Sequence, residues 1–232
     1  MKLRSLLLAP LLMTSVAYGG QFADGLAAYN AGQHAKAFEL WKPLAEQGDA
    51  SAQSNLGYMY ANGKGVTEND VEAVKWYRKA ADQGDAYAQF FLGIMYNNGR
   101  GVAQNHTEAV KWYRKAAEQG DVYAQFNLGI MYDNGEGVTE NDAEAVKWYR
   151  KAAEQGHAGA QSGLGLMYAK GAGVTQNNVR AYALWSIAAA SGHANAQKNK
   201  DMVAARMTPA QIAEAQKISA NWQPGQPIKI PF

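Results

Sequence analysis

The chain has 232 residues, a formal charge of +2 and no cysteine. That near-neutral balance argues against nucleic-acid binding, which wants a strong basic surplus. Without cysteine there is no disulfide framework and no lipoprotein anchor.

Met1–Gly20 reads as a secretory signal peptide. Lys2 and Arg4 form its positive start, and Leu6–Val16 is an apolar run too short to span a bilayer comfortably. Small residues stand at the cleavage spacing both for a cut after Ala17 and for one after Gly19. Either cut removes two cations and no acid, which leaves a formally neutral chain. No second apolar run is long enough for a membrane span. The expected location is therefore exported, periplasmic or secreted.

Residues 20–48 read as a shorter starting hairpin, with helices over Phe22–Tyr29 and His34–Gln47. Ala37, Leu40, Trp41, Leu44 and Ala45 give the second of these a 3–4 apolar spacing.

One unit then recurs every 36 residues without gaps: Asp49–Gly84, Asp85–Gly120, Asp121–Gly156 and, more worn, His157–Gly192. Self-similarity at such a period predicts a solenoid or array. Each copy reads as two helices and a tight turn. In the second copy, Ala88, Leu92 and Tyr96 form the buried line of the first helix. Gly93 inside it costs about 1 kcal/mol relative to Ala. Its recurrence as Gly57, Gly129 and Gly165 predicts close approach of the partner helix, with Ala116 and Ala117 as the small residues that permit it. Gly99 and Gly101 make the turn. Ala109, Trp112, Tyr113, Ala116 and Ala117 then form the apolar stripe of the second helix. Asn105 with Glu108, Asn69 with Glu72 and Asn141 with Glu144 predict a capping box with Asn as the cap. A lone hairpin cannot bury both stripes, whereas stacked neighbours can.

After Gly192 a further copy begins at His193 and fails at Lys200-Asp201. Thr208, Pro209 and Gln211 predict a capped helix start, and Ile212, Ala215 and Ile218 can lie against the last repeat. This makes 193–222 a capping segment. The Pro-rich end, 223–232, reads as an extended tail.

No nucleophile constellation and no cofactor signature is present, and the Gly-x-Gly pairs lie between helices, not after a strand. His34, His106, His157 and His193 are not at metal-ligand spacing on one helix face, and the loop histidines read as solvated. Lys75, Arg78, Lys79 and their copies stack into a basic ridge, expected to be a solubilising face with Glu72, Glu108 and Glu144 beside it. The chain is not expected to be an enzyme.

The motif Ala-Gln-x-x-Leu-Gly-x-Met-Tyr-x-x-Gly-x-Gly-Val, followed by Ala-Val-Lys-Trp-Tyr-Arg-Lys-Ala-Ala-x-Gln-Gly, resembles the SEL-1-like repeat family, a relative of tetratricopeptide repeats. The resemblance covers Asp49–Gly192 well. It implies an all-α fold, a right-handed α/α superhelical solenoid of about five helical hairpins with a C-terminal capping helix. It also implies protein–protein contact as the function. Some members of the family's cysteine-rich exported branch bind or hydrolyse β-lactams, an activity the cysteine-free chain is not expected to share.

By analogy with tetratricopeptide repeats, the first helices line a concave groove. Aligning Leu92-Gly93 places Tyr58, Tyr87, Phe90, Ile94, Asn97 and Asn98 there, with Tyr123, Phe126, Ile130, Asp133 and Asn134 from the next repeat. Aromatic anchors with polar neighbours suit a protein or peptide partner. The alternative is a cell-wall-associated accessory that binds glycan or modulates an envelope enzyme. Phe90 and Phe126 have a second expected role, packing between neighbouring first helices.

Overall fold

A computed structural model describes residues 9–226. Lys2 and Arg4, and the last six residues of the tail, lie outside them. Among the described residues there are twelve helices and no strand. They fall into two compact units, Met1–Asn105 and His106–Phe232.

The first unit holds α1 (Ala9–Asn30), α2 (His34–Glu46), α3 (Ala50–Asn62), α4 (Asp70–Asp82) and α5 (Ala86–Asn98). Here α1 begins well before Phe22 and runs without a break through Gly19 and Gly20. Two glycines cost about 2 kcal/mol of propensity, too little to end a long helix with no proline after Pro10. The core gathers Ala37, Trp41, Leu44, Ala52, Leu56 and Met59.

The second unit holds α6 (His106–Glu118), α7 (Val122–Asn134), α8 (Asp142–Glu154), α9 (Ala158–Lys170), α10 (Asn178–Ala190), α11 (Ala196–Ala204) and α12 (Pro209–Asn221). Its core is centred on Tyr149, Leu164, Met167, Leu184 and Trp185. The failed copy after Gly192 survives as the short α11. The α12 capping box forms as expected: the Gln211 N–H donates to Thr208 Oγ1, and the Thr208 N–H to Gln211 Oε1 at 2.9 Å. Ala215 is fully buried, with Ile212 and Ile218 packed beside the same core.

Local chemistry sets where each helix starts. The Asp49, Asp85 and Asp121 carboxylates each accept the N–H three residues on at 2.7 Å, which starts α3, α5 and α7. At α4 and α8 the Asn69 and Asn141 side chains accept the Glu72 and Glu144 N–H groups. The other half of the expected capping box does not form there. Glu72 and Glu144 turn instead to Lys75 and Lys147. The Asn69 and Asn141 N–H groups are already used, donating to Tyr60 O and Tyr132 O at 2.9 Å. With the cap N–H occupied, the glutamates have nothing to reach back for.

Two glycine positions carry the packing. The helical Gly57 and Gly129 face rings, not alanines: a Cβ on either would stand 2.6 Å from Cδ1 of Tyr77 or Tyr149. Gly165 and Gly25 meet Trp185 and Trp41 in the same way. In these four copies the alanines of the second helix are therefore not what the glycine admits. It makes room for a large aromatic in the second helix. The second glycine of each Gly-x-Gly turn locks successive repeats together. Gly101 and Gly137 have φ of 67° and 70°, and a Cβ on them would overlap the backbone of Asp70 and of His106, one repeat earlier. Only glycine satisfies both the left-handed conformation and that contact.

The start of the tail is not free. The Gly225 N–H donates to Glu154 O at 2.8 Å at the end of α8, and Trp222 Nε1 donates to Gln226 O at 3.2 Å. Residues 223–226 form a docked turn because α12 brings them over that helix end. No helix among the described residues is long and apolar enough to cross a membrane.

Candidate functional site

In the first unit, α3 and α5 present Tyr58, Tyr87, Phe90, Ile94, Asn97 and Asn98. Tyr87 is 42% exposed although it sits at the second residue of α5. Its ring centroid is 4.4 Å from that of Phe91, which lies 5.1 Å edge-on to Phe90 and stacks 5.5 Å from Tyr77. Tyr58 meets Tyr29 edge-on at 6.3 Å. Burial, with a hydrogen bond to Tyr58, pushes the Tyr29 hydroxyl up to about 12. Ile94 is half-buried. Asn97 and Asn98 are bonded to each other at 3.1 Å, and Gln104 donates to Asn97 O at 2.8 Å. These two asparagines serve the turn as well as the surface.

In the second unit the matching residues divide by environment. Tyr123 is 56% exposed and meets the His157 ring edge-on at 5.5 Å. Phe126 lies 4.4 Å from His157 and 6.0 Å from Tyr149, over the space that the missing side chain of Gly159 leaves. Its packing between first helices is thus real. Ile130 rests against the core. Asp133 accepts the hydroxyl of buried Tyr149 at 3.2 Å. Burial above all, then this carboxylate, holds the Tyr149 pKa well above the ordinary phenol value. Asn134 donates to Glu136 at 3.2 Å. Tyr123 is therefore the residue of this set most available to a ligand.

His157 is not a solvated loop residue. It caps α9: its Nδ1 accepts the Ala160 N–H at 3.1 Å, where the other copies use aspartate. Burial first, and His193 second, lower its pKa. Among the described residues no three His, Asp or Glu side chains converge as a metal site.

The basic ridge is satisfied within the chain. In the second unit Lys111 pairs with Glu108 at 2.6 Å and Lys147 with Glu144 at 3.0 Å. Lys115 and Lys151 lie 4.1 and 4.7 Å from the ring centres of Trp112 and Trp148. Arg114 and Arg150 donate to the hydroxyls of Tyr132 and Tyr168. The first unit repeats this with Lys75–Glu72, Lys79 over Trp76 and Arg78 to Tyr96. A depression of about 520 Å³ lies on this ridge, lined by Lys111, Trp112, Lys115 and Val138, and away from Tyr123.

Sequence reasoning missed two features. Phe91 completes the aromatic cluster of α5 but stands where other copies have Asn55, Asn127 and Gly163. Its departure from the repeat was the available signal. The buried glutamines Gln53, Gln89, Gln125 and Gln161 were read only as part of a motif. Each donates to the carbonyl of an alanine eight residues earlier, at 2.9–3.2 Å.

A Sel1 repeat model matches residues 22–49, 50–85, 86–121, 122–157 and 158–193. The chain is similar to a Sel1 repeat protein from Oxalobacter formigenes, with 40% identity and a TM-score of 0.72 over 76% of this chain and 72% of that one. It is also similar to a protective antigen present in uropathogenic Escherichia coli strains displaying an SLR fold. There the identity is 31% and the TM-score 0.58, over 89% of this chain and 53% of that one. A stretch of 56 residues is 43% identical to an exopolysaccharide production negative regulator of Rhizobium meliloti. It covers 24% of this chain and 21% of that protein, so the chain spans about a fifth of the regulator's length. The fold is an all-α repeat superhelix.

Proposed function

Because the chain belongs to the Sel1 repeat family, we propose that it is an exported interaction module that takes a protein or peptide on the face of its first helices. Sel1 repeats mediate protein–protein interaction, and the family is generally one of scaffolds. The observation that carries the reading is one exposed tyrosine at the same helical position in each unit, Tyr87 on α5 and Tyr123 on α7. Each stands on a floor of packed rings, the arrangement of an anchoring aromatic. Export rests on the charge and apolar pattern of the first 20 residues. In this reading the module acts by holding its partner.

The test is capture from an envelope extract. The baits are the native chain and a Tyr87→Ala/Phe90→Ala/Tyr123→Ala/Phe126→Ala variant checked by circular dichroism. A protein retained only by the native bait supports the module. Identical sets on both baits remove the aromatic face from the argument. The second reading, an accessory of the cell surface that binds glycan or modulates an envelope enzyme, is favoured by the local likeness to the exopolysaccharide regulator. Retention on isolated cell-wall polysaccharide, lost in the same variant, would select it.

A further inference from the structure

The last full repeat departs from the others at one charged position. The third residue of the second helix is Glu72 in α4, Glu108 in α6 and Glu144 in α8, but Arg180 in α10. A cation there opposes the positive end of the helix dipole, which favours acids in the first turn. The lysine that pairs with this glutamate has gone as well. Lys147 holds Glu144 at 3.0 Å, whereas the matching position after Arg180 is Ala183.

Arg180 is also brought against a second arginine. Tyr168, near the end of α9, accepts from Arg150 Nη2 at 3.1 Å and from Arg180 Nη1 at 3.2 Å on the same hydroxyl oxygen. The Arg180 guanidinium lies 5.2 Å from the Tyr168 ring centre, which holds it in place. In the preceding repeat the matching tyrosine, Tyr132, takes Arg114, and the next helix brings Glu144 where α10 brings an arginine. The Tyr168 hydroxyl satisfies a donor of each cation but carries no charge to set against them. Having accepted twice, it keeps its own O–H to donate. Arg150 is exposed and Arg180 half-buried, so the pair is open to solvent. Two like charges at one oxygen repel. An oxyanion between them removes that cost and matches the planar fork of each guanidinium.

We propose that Arg150, Arg180 and the Tyr168 hydroxyl form an oxyanion site that takes a phosphate or carboxylate group. The site uses none of the first-helix aromatics, so it stands whether or not they hold a partner.

The test titrates the full chain with inorganic phosphate and, separately, with acetate, by calorimetry at matched ionic strength in a chloride background. Arg180→Glu and Arg150→Gln are titrated beside it. Glutamate is what three other repeats carry at this position, and Arg150 is exposed, so both variants keep the fold, as circular dichroism checks. The native chain is expected to bind one of the two anions saturably. Each variant should weaken that binding at least about ten-fold, the loss of one charge-assisted contact. Tighter binding of phosphate assigns the site to a phosphoryl group, and tighter binding of acetate to a carboxylate. No saturable binding of either anion, or equal binding by the native chain and both variants, would overturn the proposal.

Thermal unfolding gives an independent readout. In chloride alone Arg180→Glu should melt higher than the native chain, because it removes the repulsion and suits the helix dipole. The preferred anion should raise the native melting temperature and leave that of Arg180→Glu unchanged. A variant that melts below the native chain by the same margin with and without the anion would make Arg180 a packing residue and end the case for a site.

Discussion

Gln155 reaches one repeat back to Gln125: its Nε2 donates to Gln125 Oε1 at 2.8 Å, while Gln125 Nε2 donates to Ala117 O at 3.1 Å. Gln83 and Gln53 do the same in the first unit, at 2.8 Å, with Gln53 on Ala45 O. The ladder breaks at Gln161. Its Nε2 finds Ala153 O at 3.2 Å, but its Oε1 is fully buried with no donor among the described residues. The donor position, 36 residues after Gln155, is Ser191. A serine there is too short to span one repeat. Ser191→Gln is expected to complete the ladder and add about 1 kcal/mol, the net worth of a hydrogen bond to a buried orphan. Denaturant unfolding and amide exchange in α9 and α10 measure it, and unchanged protection there would show that Oε1 carries no such penalty.

A second expectation concerns acid. His157 can cap α9 only while Nδ1 is unprotonated, since a protonated Nδ1 donates and cannot accept the Ala160 N–H. Burial and His193 depress its pKa below the ordinary histidine value of about 6.5. The unfolded chain therefore binds a proton more readily than the folded one, and stability rises with pH in that window. The stabilisation is complete above about pH 6.5 and is lost as pH falls through the folded-state pKa. The melting temperature of the native chain should drop between neutral and mildly acidic pH. His157→Asp supplies the carboxylate that the other copies use and should flatten the profile. Parallel profiles would trace the acid sensitivity to another group.

Gly129→Ala tests the ring contact in the opposite sense to helix propensity. Propensity alone promises a gain of about 1 kcal/mol for Ala over Gly. The added methyl would stand 2.6 Å from Tyr149 Cδ1 and 2.7 Å from Cε1, with the ring in the core and its hydroxyl tied to Asp133. Overpacking of this kind costs about 1–3 kcal/mol, so a net loss of stability is expected. A stabilised variant in thermal unfolding would mean that Tyr149 moves aside freely.

The features legible in the sequence are those that short-range chemistry decides. The asparagine caps Asn69 and Asn141 and the Thr208/Gln211 box depend on residues within one turn, and their spacing shows them directly. What was not legible depends on where another helix lies. Glu72 looks like half of a capping box until Tyr60 O is found to hold the Asn69 N–H. Gly129 looks like a partner for alanine until Tyr149 is seen to fill its place. His157 looks like a loop residue because the Asp it replaces is a cap only once α9 is in position. On the candidate face, alignment to the repeat identified Tyr87 and Tyr123. It could not separate them from Asp133, whose carboxylate is already engaged by Tyr149.

Arg100 and Asp70 offer a final test of how the first unit holds its repeats. Arg100 stands between Gly99 and Gly101, on the turn whose backbone packs against the start of α4. Its Nε and Nη2 donate to the two Asp70 carboxylate oxygens at 3.0 and 2.7 Å, and Nη2 also reaches Ala61 O at 3.1 Å. The hydrogen bond to Asp70 pushes the guanidinium pKa higher still, so the cation persists at any working pH. The other copies have Lys64, Glu136 and Ala172 at this position, so none of them can form the same arginine fork. The Arg100 side chain is 42% exposed, and solvent screening limits what the pair can contribute. A double-mutant cycle of Arg100→Ala and Asp70→Ala is expected to give a coupling of about 0.5–1 kcal/mol, at the upper end for a surface pair because the fork is bidentate and the turn rigid. The coupling should shrink as salt is raised toward 1 M. A cycle that closes to zero at low salt would show that Gly101 packing alone holds the junction.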